Sequence, residues 1–230
     1  MQLPVKETLI LLYLVGGETA AGERIASLGW TSSLVVYLGL FGLLAACLLL
    51  AAYVRNTALR LGYALIVSVS AMLLDAFQRI TGDPLTYDAF INLLNSAGFV
   101  GDAMDQHARP VLWALATSLL LLAGMAMEPR RVPPLPRLAF VTAPLIGVAG
   151  LSAILFARGG EGATGLPSAF PILAYSGIFL YEQGASPPKE RQGVTIARTA
   201  PRRGGDIVLI IDESVLGSYL DINDAGGVTS

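Results

Sequence analysis

Four long apolar blocks, separated by connections that carry charge, are the main feature of this chain. They cover residues 31–54, 61–80, 110–127 and 138–157. Each block has about the length of the roughly 20 apolar residues that a helix needs to cross a bilayer. The pattern therefore predicts four transmembrane helices.

Only the second block contains charged residues, Asp75 and Arg79, which lie four positions apart and so on the same face of a helix. Two interpretations fit this arrangement. The residues form an ion pair that lowers the cost of placing charge in lipid, or they belong to a functional site, because ionisable groups inside membranes are often functional.

The first thirty residues allow three interpretations. Their apolar stretch, Leu9 to Val15, has only seven residues before Gly16, Gly17 and Glu18 interrupt it. It is the cytoplasmic half of a fifth helix, an interfacial helix, or the short core of a signal peptide. The last alternative places Lys6 before the core and Ala20-Ala21 near a cleavage site.

The composition agrees with a membrane protein and excludes a large basic surface. The chain is 54% hydrophobic and 14% charged, whereas soluble domains have about 25% charged residues. Its net charge of −2 provides no field of the kind that nucleic-acid binding requires. We therefore expect membrane lipids as partners and no nucleic acid.

The distribution of charge between the blocks predicts the orientation of the helices. The connection from Glu128 to Arg137 has three arginines and one glutamate, so the positive-inside rule places it in the cytoplasm. Alternation then places residues 55–60 in the cytoplasm too. Residues 81–109, with four aspartates and one arginine, and the chain after Arg158 lie outside. We expect a multi-pass protein of the bacterial inner membrane with a periplasmic carboxy-terminal part.

The carboxy-terminal part changes character twice. Residues 159–205 are rich in Gly, Pro, Ser and charge, as in a linker, and contain an apolar stretch, Phe170 to Tyr181, that is a candidate interfacial helix. The run Asp206-Ile-Val-Leu-Ile-Ile-Asp212 predicts a buried parallel strand. Residues 213–220 predict the start of a helix.

Two carboxylates, Asp212 and Glu213, follow this strand directly. Open α/β sheets bind ligands at the carboxyl ends of their strands, and hard oxygen ligands suit a divalent metal ion. An ordinary strand end with solvated acids, or a helix cap, fits the same residues.

Residues 206–222 resemble the first strand and metal-ligand turn of the alkaline phosphatase and sulfatase superfamily. Within it, they are most similar to the membrane-bound phosphoethanolamine transferases that modify lipid A. In that family the turn reads Gly-Glu-Ser or Gly-Glu-Thr, and its glutamate binds the catalytic zinc. The resemblance implies zinc as the cofactor and Glu213 as a ligand. Asp212 replaces the glycine, as in the paired acids of sulfatases, and is a second candidate ligand.

The resemblance extends to the outside loop between the second and third blocks. The family carries there a short lipid-substrate segment with an asparagine followed four residues later by a threonine, and Asn92 and Ser96 match that spacing. The glutamate expected four residues further on is replaced by Val100, with Asp102 nearby. The resemblance implies that Asn92, Ser96 and Asp102 bind substrate, while a plain loop helix fits the residues as well.

We expect three parts from these observations. Residues 1–158 form a membrane all-α bundle of four or five transmembrane helices, residues 159–205 form a periplasmic linker, and residues 206–230 form the first β-strand and turn of an incomplete α/β catalytic domain. The family's threonine nucleophile and its Asp-His pair lie further along than Ser230. We therefore expect the 230-residue chain to be inactive alone.

The resemblance implies an enzyme that transfers phosphoethanolamine from a phospholipid donor, such as phosphatidylethanolamine, to lipid A or another cell-envelope glycan. This activity would belong to lipopolysaccharide modification. Two alternatives stay open. A sulfatase-like hydrolase or phosphoglycerol transferase would use the same frame, and a small non-enzymatic transport or scaffold protein of the membrane would need only the helices.

Overall fold

The computed structural model describes residues 5–16, 19–95, 100–129 and 132–185, with the side chains of residues 19 and 100–105 left out. These residues form eight helices and contain no strand. The helices are α1 Val5–Gly16, α2 Thr19–Leu28, α3 Ser32–Ala52, α4 Thr57–Thr81, α5 Tyr87–Asn95, α6 Val100–Ala126, α7 Arg137–Ala157 and α8 Pro171–Ala185. The predicted strand at 206–212 and the turn with Asp212 and Glu213 lie outside the described residues.

Four helices are long and apolar enough to cross a membrane, which confirms the prediction of a helical membrane protein. They are Ser32–Ala52, Thr57–Thr81, Gln106–Ala126 and Arg137–Ala157. Only 28 to 39% of each apolar stretch is buried inside the structure. The apolar residues that remain face outward, as the surface of a protein in lipid must.

One end of the bundle, which we call the arginine end, carries Arg55, Arg60 and Arg137. Here α3 ends, α4 and α7 begin and α6 ends. The Arg60 side chain donates to the carbonyl oxygens of Ala126 (3.3 Å) and Val54 (3.1 Å), and so joins the ends of α6 and α3. We call the opposite end, which carries residues 82–86 and the start of the segment 158–170, the loop end.

Helix α1 also begins at the arginine end. The Lys6 ammonium donates to the carbonyl oxygens of Met125 (3.3 Å) and Met127 (2.6 Å), where a positive charge stabilises the negative end of the α6 dipole. The Tyr53 hydroxyl donates to Glu7, which connects α1 to the end of α3.

Helices α4 and α6 pack against each other, and both carry buried small residues. The buried small residues on α4 are Ala64, Ser68 and Ala71, at spacings of four and three, and those on α6 are Ala114 and Ser118, four residues apart. Small side chains allow two helix backbones to approach, which favours association in membranes.

Helix α6 is kinked before it enters the bundle. His107 has non-helical torsion angles (φ −126°, ψ 33°), and Pro110 follows three residues later. Proline lacks the N–H that would bond to the carbonyl of Gln106, and its ring crowds that carbonyl. The kink separates a short first piece of α6 from the part that belongs to the bundle.

Candidate functional site

The chain folds back into the bundle after α7, along residues 158–170, which we call the re-entrant segment. A Cβ placed on Gly147 would lie 3.5 Å from the Phe170 ring. Gly147 is ten residues before the end of α7, about 15 Å along the helix axis. The segment therefore descends beside α7 to about the middle of that helix.

Helix α8 then returns toward the loop end, parallel to α7. The Ser152 hydroxyl of α7 donates to the Ala174 carbonyl of α8 at 3.0 Å. One to two turns further on, the rings of Phe156 and Tyr181 meet edge to face at 5.4 Å. The stretch that was a candidate interfacial helix thus packs against a membrane-length helix in the structure.

Tyrosines from other helices hold the re-entrant segment. The Tyr37 hydroxyl donates to the Gly165 carbonyl, and the hydroxyls of Tyr13 and Ser168 share a hydrogen bond of 2.6 Å. Non-helical backbone is tolerated at membrane depth only where protein or water satisfies its polar groups. These contacts supply such partners from α1 and α3.

Two glycines allow the close approach of the segment. Gly160 and Gly165 have φ of 87° and 75°, a region that residues with a Cβ rarely adopt. A Cβ on Gly160 would lie 2.6 Å from the Tyr87 Cβ, and one on Gly165 would lie 2.8 Å from the Arg24 Cβ. Both positions therefore require glycine.

Helix α5 is docked on α8 and the re-entrant segment by aromatic residues. Tyr87, Phe90 and Tyr175 form a cluster with ring centroids 5.8 to 6.2 Å apart. The buried Tyr175 hydroxyl is placed to donate to the carbonyl oxygens of Leu85 (3.0 Å) and Gly160 (3.1 Å). One tyrosine thus joins α8, the α4–α5 connection and the re-entrant segment.

A hydrogen bond from Tyr87 to Glu182 completes this docking. The Tyr87 hydroxyl donates to the Glu182 carboxylate at 2.6 Å. Burial raises the pKa of the Tyr87 phenol above its usual range, and the bond to Glu182 raises it further. The phenol therefore stays protonated, as the donor in this bond must be, throughout the physiological pH range.

An apolar groove of about 730 Å³ lies between α4, α7 and α8. Its walls include Tyr63, Ile66, Pro144, Leu145, Phe156, Phe170, Leu173 and Tyr181. The serine hydroxyls in the wall, Ser152 and Ser176, donate to backbone carbonyl oxygens of α7 and α8. The groove thus presents mainly hydrocarbon, as a site for an acyl chain does.

A smaller, polar cavity of about 250 Å³ lies at the loop end beside the Asp75–Arg79 pair, and Glu23, Asp83 and Thr164 also line it. The Arg79 Nε lies 2.9 Å from the Asp75 Oδ1, and the Thr117 hydroxyl donates to Oδ2 at 3.1 Å. The charge of Asp75 is thus satisfied within the bundle, which fits the ion-pair interpretation.

The residues predicted to bind metal or substrate fall mostly outside the described part of the chain. Asn92 lies on α5 at the loop end and is exposed. The backbone of Asp102 lies in α6, but its side chain is not described, and Ser96, Asp212 and Glu213 lie outside the described residues. Among the described side chains there is no group of three or more metal-binding residues.

The re-entrant segment and the groove were not foreseen from the sequence. The sequence contains one indication of the re-entrant segment, which is a cluster of glycines just after a transmembrane block: Gly159, Gly160, Gly162 and Gly165. Such clusters are also common in ordinary linkers. Comparison of the chain with protein-family models, curated proteins and solved structures found no match.

Proposed function

We propose that the chain is the membrane part of a phosphoethanolamine-transferase-like enzyme and that it holds a phospholipid donor with the headgroup at the loop end. The observation that carries the proposal is the apolar groove beside α8. This helix supports the substrate-segment helix α5 and leads into the part of the chain that contains Asp212 and Glu213.

The groove and α5 fit the two halves of a phospholipid. An acyl chain in the groove would contact Leu145, Phe156 and Leu173, which line it. The headgroup would then lie at the loop end, near Asn92 of α5, which matches the asparagine of the family's substrate segment. This arrangement would hold the headgroup in one position at the loop end.

The acidic turn fits a zinc site in part. Zinc accepts carboxylate oxygens, but its sites in proteins use three or four protein ligands. Asp212 and Glu213 would supply one or two of them. When bound, zinc would polarise a phosphoryl oxygen.

We further propose that the arginine end faces the cytoplasm and the loop end faces the periplasm, with the protein in the bacterial inner membrane. The excess of arginine at one end supports this orientation. Helices α1 and α2 would together form a fifth crossing. Lys6 of α1 contacts the arginine end, and Ala20 of α2 lies beside Gly165 at the loop end.

We expect opposite labelling of cysteines placed at the two ends. In a Cys47→Ala background, Asn95→Cys in intact cells should react with a membrane-impermeant thiol reagent. Val132→Cys should react only after the cells are broken, since it would lie in the cytoplasm. The reverse pattern would contradict the orientation without affecting the fold.

The enzymatic proposal is tested by mass spectrometry of envelope glycolipids from cells that express the gene with any coding sequence that continues it. Phosphoethanolamine should appear on the glycolipids and fall by about 100-fold or more in Glu213→Ala, because even an outer-shell partner of a zinc site is worth about 10- to 100-fold. The matched control Glu190→Gln, another acid in the carboxy-terminal part, should retain activity.

Other outcomes of this experiment would contradict the proposed activity or favour a different one. Full activity of Glu213→Ala would remove the family assignment. Release of the free headgroup, or of sulfate from a sulfated substrate, in place of transfer would favour a sulfatase-like hydrolase, and addition of phosphoglycerol would favour that transferase.

One observation favours a transport function instead. Re-entrant segments and broken helices line the substrate paths of many transporters. Here, however, the re-entrant segment is tied by Tyr13, Tyr37 and Tyr175, and the adjacent groove is mainly hydrocarbon. Neither feature offers a polar path across the bundle, so lipid presentation is the function that the geometry supports better.

A further inference from the structure

A second large cavity, of about 530 Å³, lies at the arginine end. It is enclosed by the turn between α3 and α4 and by the connection that leads into α7. We call it the arginine-end cavity. Pockets of this size commonly hold small molecules or parts of larger ones.

The polar part of the wall is positive. Arg55 and Arg137 both line the cavity and are exposed, and none of the described residues in its wall is acidic. The one ion pair among the described residues, Arg79–Asp75, lies in another part of the fold. By contrast, Arg60 is buried and already donates to two backbone carbonyl oxygens. The charges of Arg55 and Arg137 are therefore available to an anion.

Two helix beginnings add to the positive potential of the cavity. Helix α4 begins after Asn56 and α7 begins at Arg137, and both residues line the wall. Asn56 caps α4 by accepting from the Leu59 N–H at 3.1 Å, whereas Pro136 at the start of α7 provides no side-chain cap. The beginning of a helix favours negative charge through its dipole.

The rest of the wall is apolar, and this decides between a soluble anion and a lipid. Pro133, Pro134, Leu135 and Phe140 line the cavity beside the arginines. The cavity also lies at the ends of four apolar helices, where the headgroups of a bilayer would be. A ligand with a phosphate next to a hydrocarbon part matches both halves of this wall.

We propose that the arginine-end cavity binds the headgroup of an anionic phospholipid from the membrane leaflet at that end. The guanidinium groups of Arg55 and Arg137 donate to phosphate oxygens, a pairing that arginine makes with favourable geometry. The glycerol and the first acyl carbons contact Leu135 and Phe140. This site does not depend on the proposed function, because it lies at the opposite end of the bundle.

The test is native mass spectrometry of the purified 230-residue chain, titrated with phosphatidylglycerol or with zwitterionic phosphatidylcholine. We expect the chain to bind phosphatidylglycerol more tightly. The double variant Arg55→Gln/Arg137→Gln should weaken phosphatidylglycerol binding by roughly 25-fold, since one basic residue near an anionic lipid surface is worth about fivefold. Its binding of phosphatidylcholine should not change.

The controls separate this site from a general effect of charge. Arg158→Gln, which removes an exposed arginine at the loop end, should change phosphatidylglycerol binding less than twofold. Arg55→Lys/Arg137→Lys keeps both positive charges and should keep most of the binding. This variant therefore tests the site even if the glutamine variant does not fold. Equal losses in Arg158→Gln and the double variant, or no loss in the double variant, would overturn the proposal. Displacement of the lipid by millimolar inorganic phosphate would show a soluble-anion site and overturn it too.

Discussion

Gly124→Leu should detach α1 from α6 and destabilise the bundle. A Cβ at residue 124 would lie 2.8 Å from the Ile10 Cγ1, 3.1 Å from the Leu9 Cβ and 3.2 Å from the Lys6 carbonyl oxygen. The last of these atoms belongs to the backbone and cannot move without the helix. Overpacking typically costs about 1–3 kcal/mol, and here we expect the upper part of that range or more because α1 must shift as a whole.

The single cysteine provides the measurement for this variant. Cys47 is 6% exposed in the folded protein, so its reaction with a fluorogenic maleimide on heating in detergent reports unfolding. The midpoint should fall by several degrees in Gly124→Leu. The matched control is Gly42→Leu on α3, because a Cβ there meets nothing within 4 Å. Equal midpoints for the two variants would contradict the close contact between α1 and α6.

Tyr175→Ala should have the second large effect, because Tyr175 joins three parts of the loop end. Its side chain is fully buried, and truncation of a large buried aromatic residue costs about 3–5 kcal/mol. The variant also leaves the carbonyl oxygens of Leu85 and Gly160 without their tyrosine donor. We expect α8 and the re-entrant segment to separate from α5.

Two further variants divide this effect into its causes. Tyr175→Phe keeps the aromatic cluster and removes only the hydroxyl, so it should cost about 1–3 kcal/mol. Tyr181→Ala, a control on the same helix with a side chain 61% exposed, should cost less than Tyr175→Ala. Limited proteolysis should cleave residues 158–170 faster in Tyr175→Ala than in Tyr181→Ala. The same cleavage rate in both would show that Tyr175 does not hold the segment.

The docking of α5 on α8 has a consequence for the proposed function. The two helices are joined by the Tyr87–Glu182 hydrogen bond and by the aromatic cluster around Tyr175. Helix α5 carries the exposed Asn92, and helix α8 forms part of the groove wall. A substrate held by both would therefore meet a surface whose parts are fixed relative to one another, which lowers the entropy cost of binding.

The sequence by itself determined the membrane helices and their order. Crossing a bilayer requires about 20 consecutive apolar residues, and this requirement acts locally along the chain, so the blocks at 31–54, 61–80, 110–127 and 138–157 could be identified without a structure. The spacing of Asp75 and Arg79 placed both residues on one helix face for the same reason, so their ion pair was one of the two interpretations that the sequence allowed.

Only the tertiary structure decided what happens to the short apolar pieces. The stretch at Leu9–Val15 is too short to cross a membrane alone, and its place depends on Gly124, more than a hundred residues away. The re-entrant segment reads as a glycine-rich linker in sequence. It is held inside the bundle because Tyr13 and Tyr37 bond to Ser168 and to the Gly165 carbonyl. Hydropathy is a sum over neighbours in sequence, whereas the burial of polar backbone depends on partners from distant helices. The groove beside α8 follows from that fold-back, so no local pattern could have revealed it.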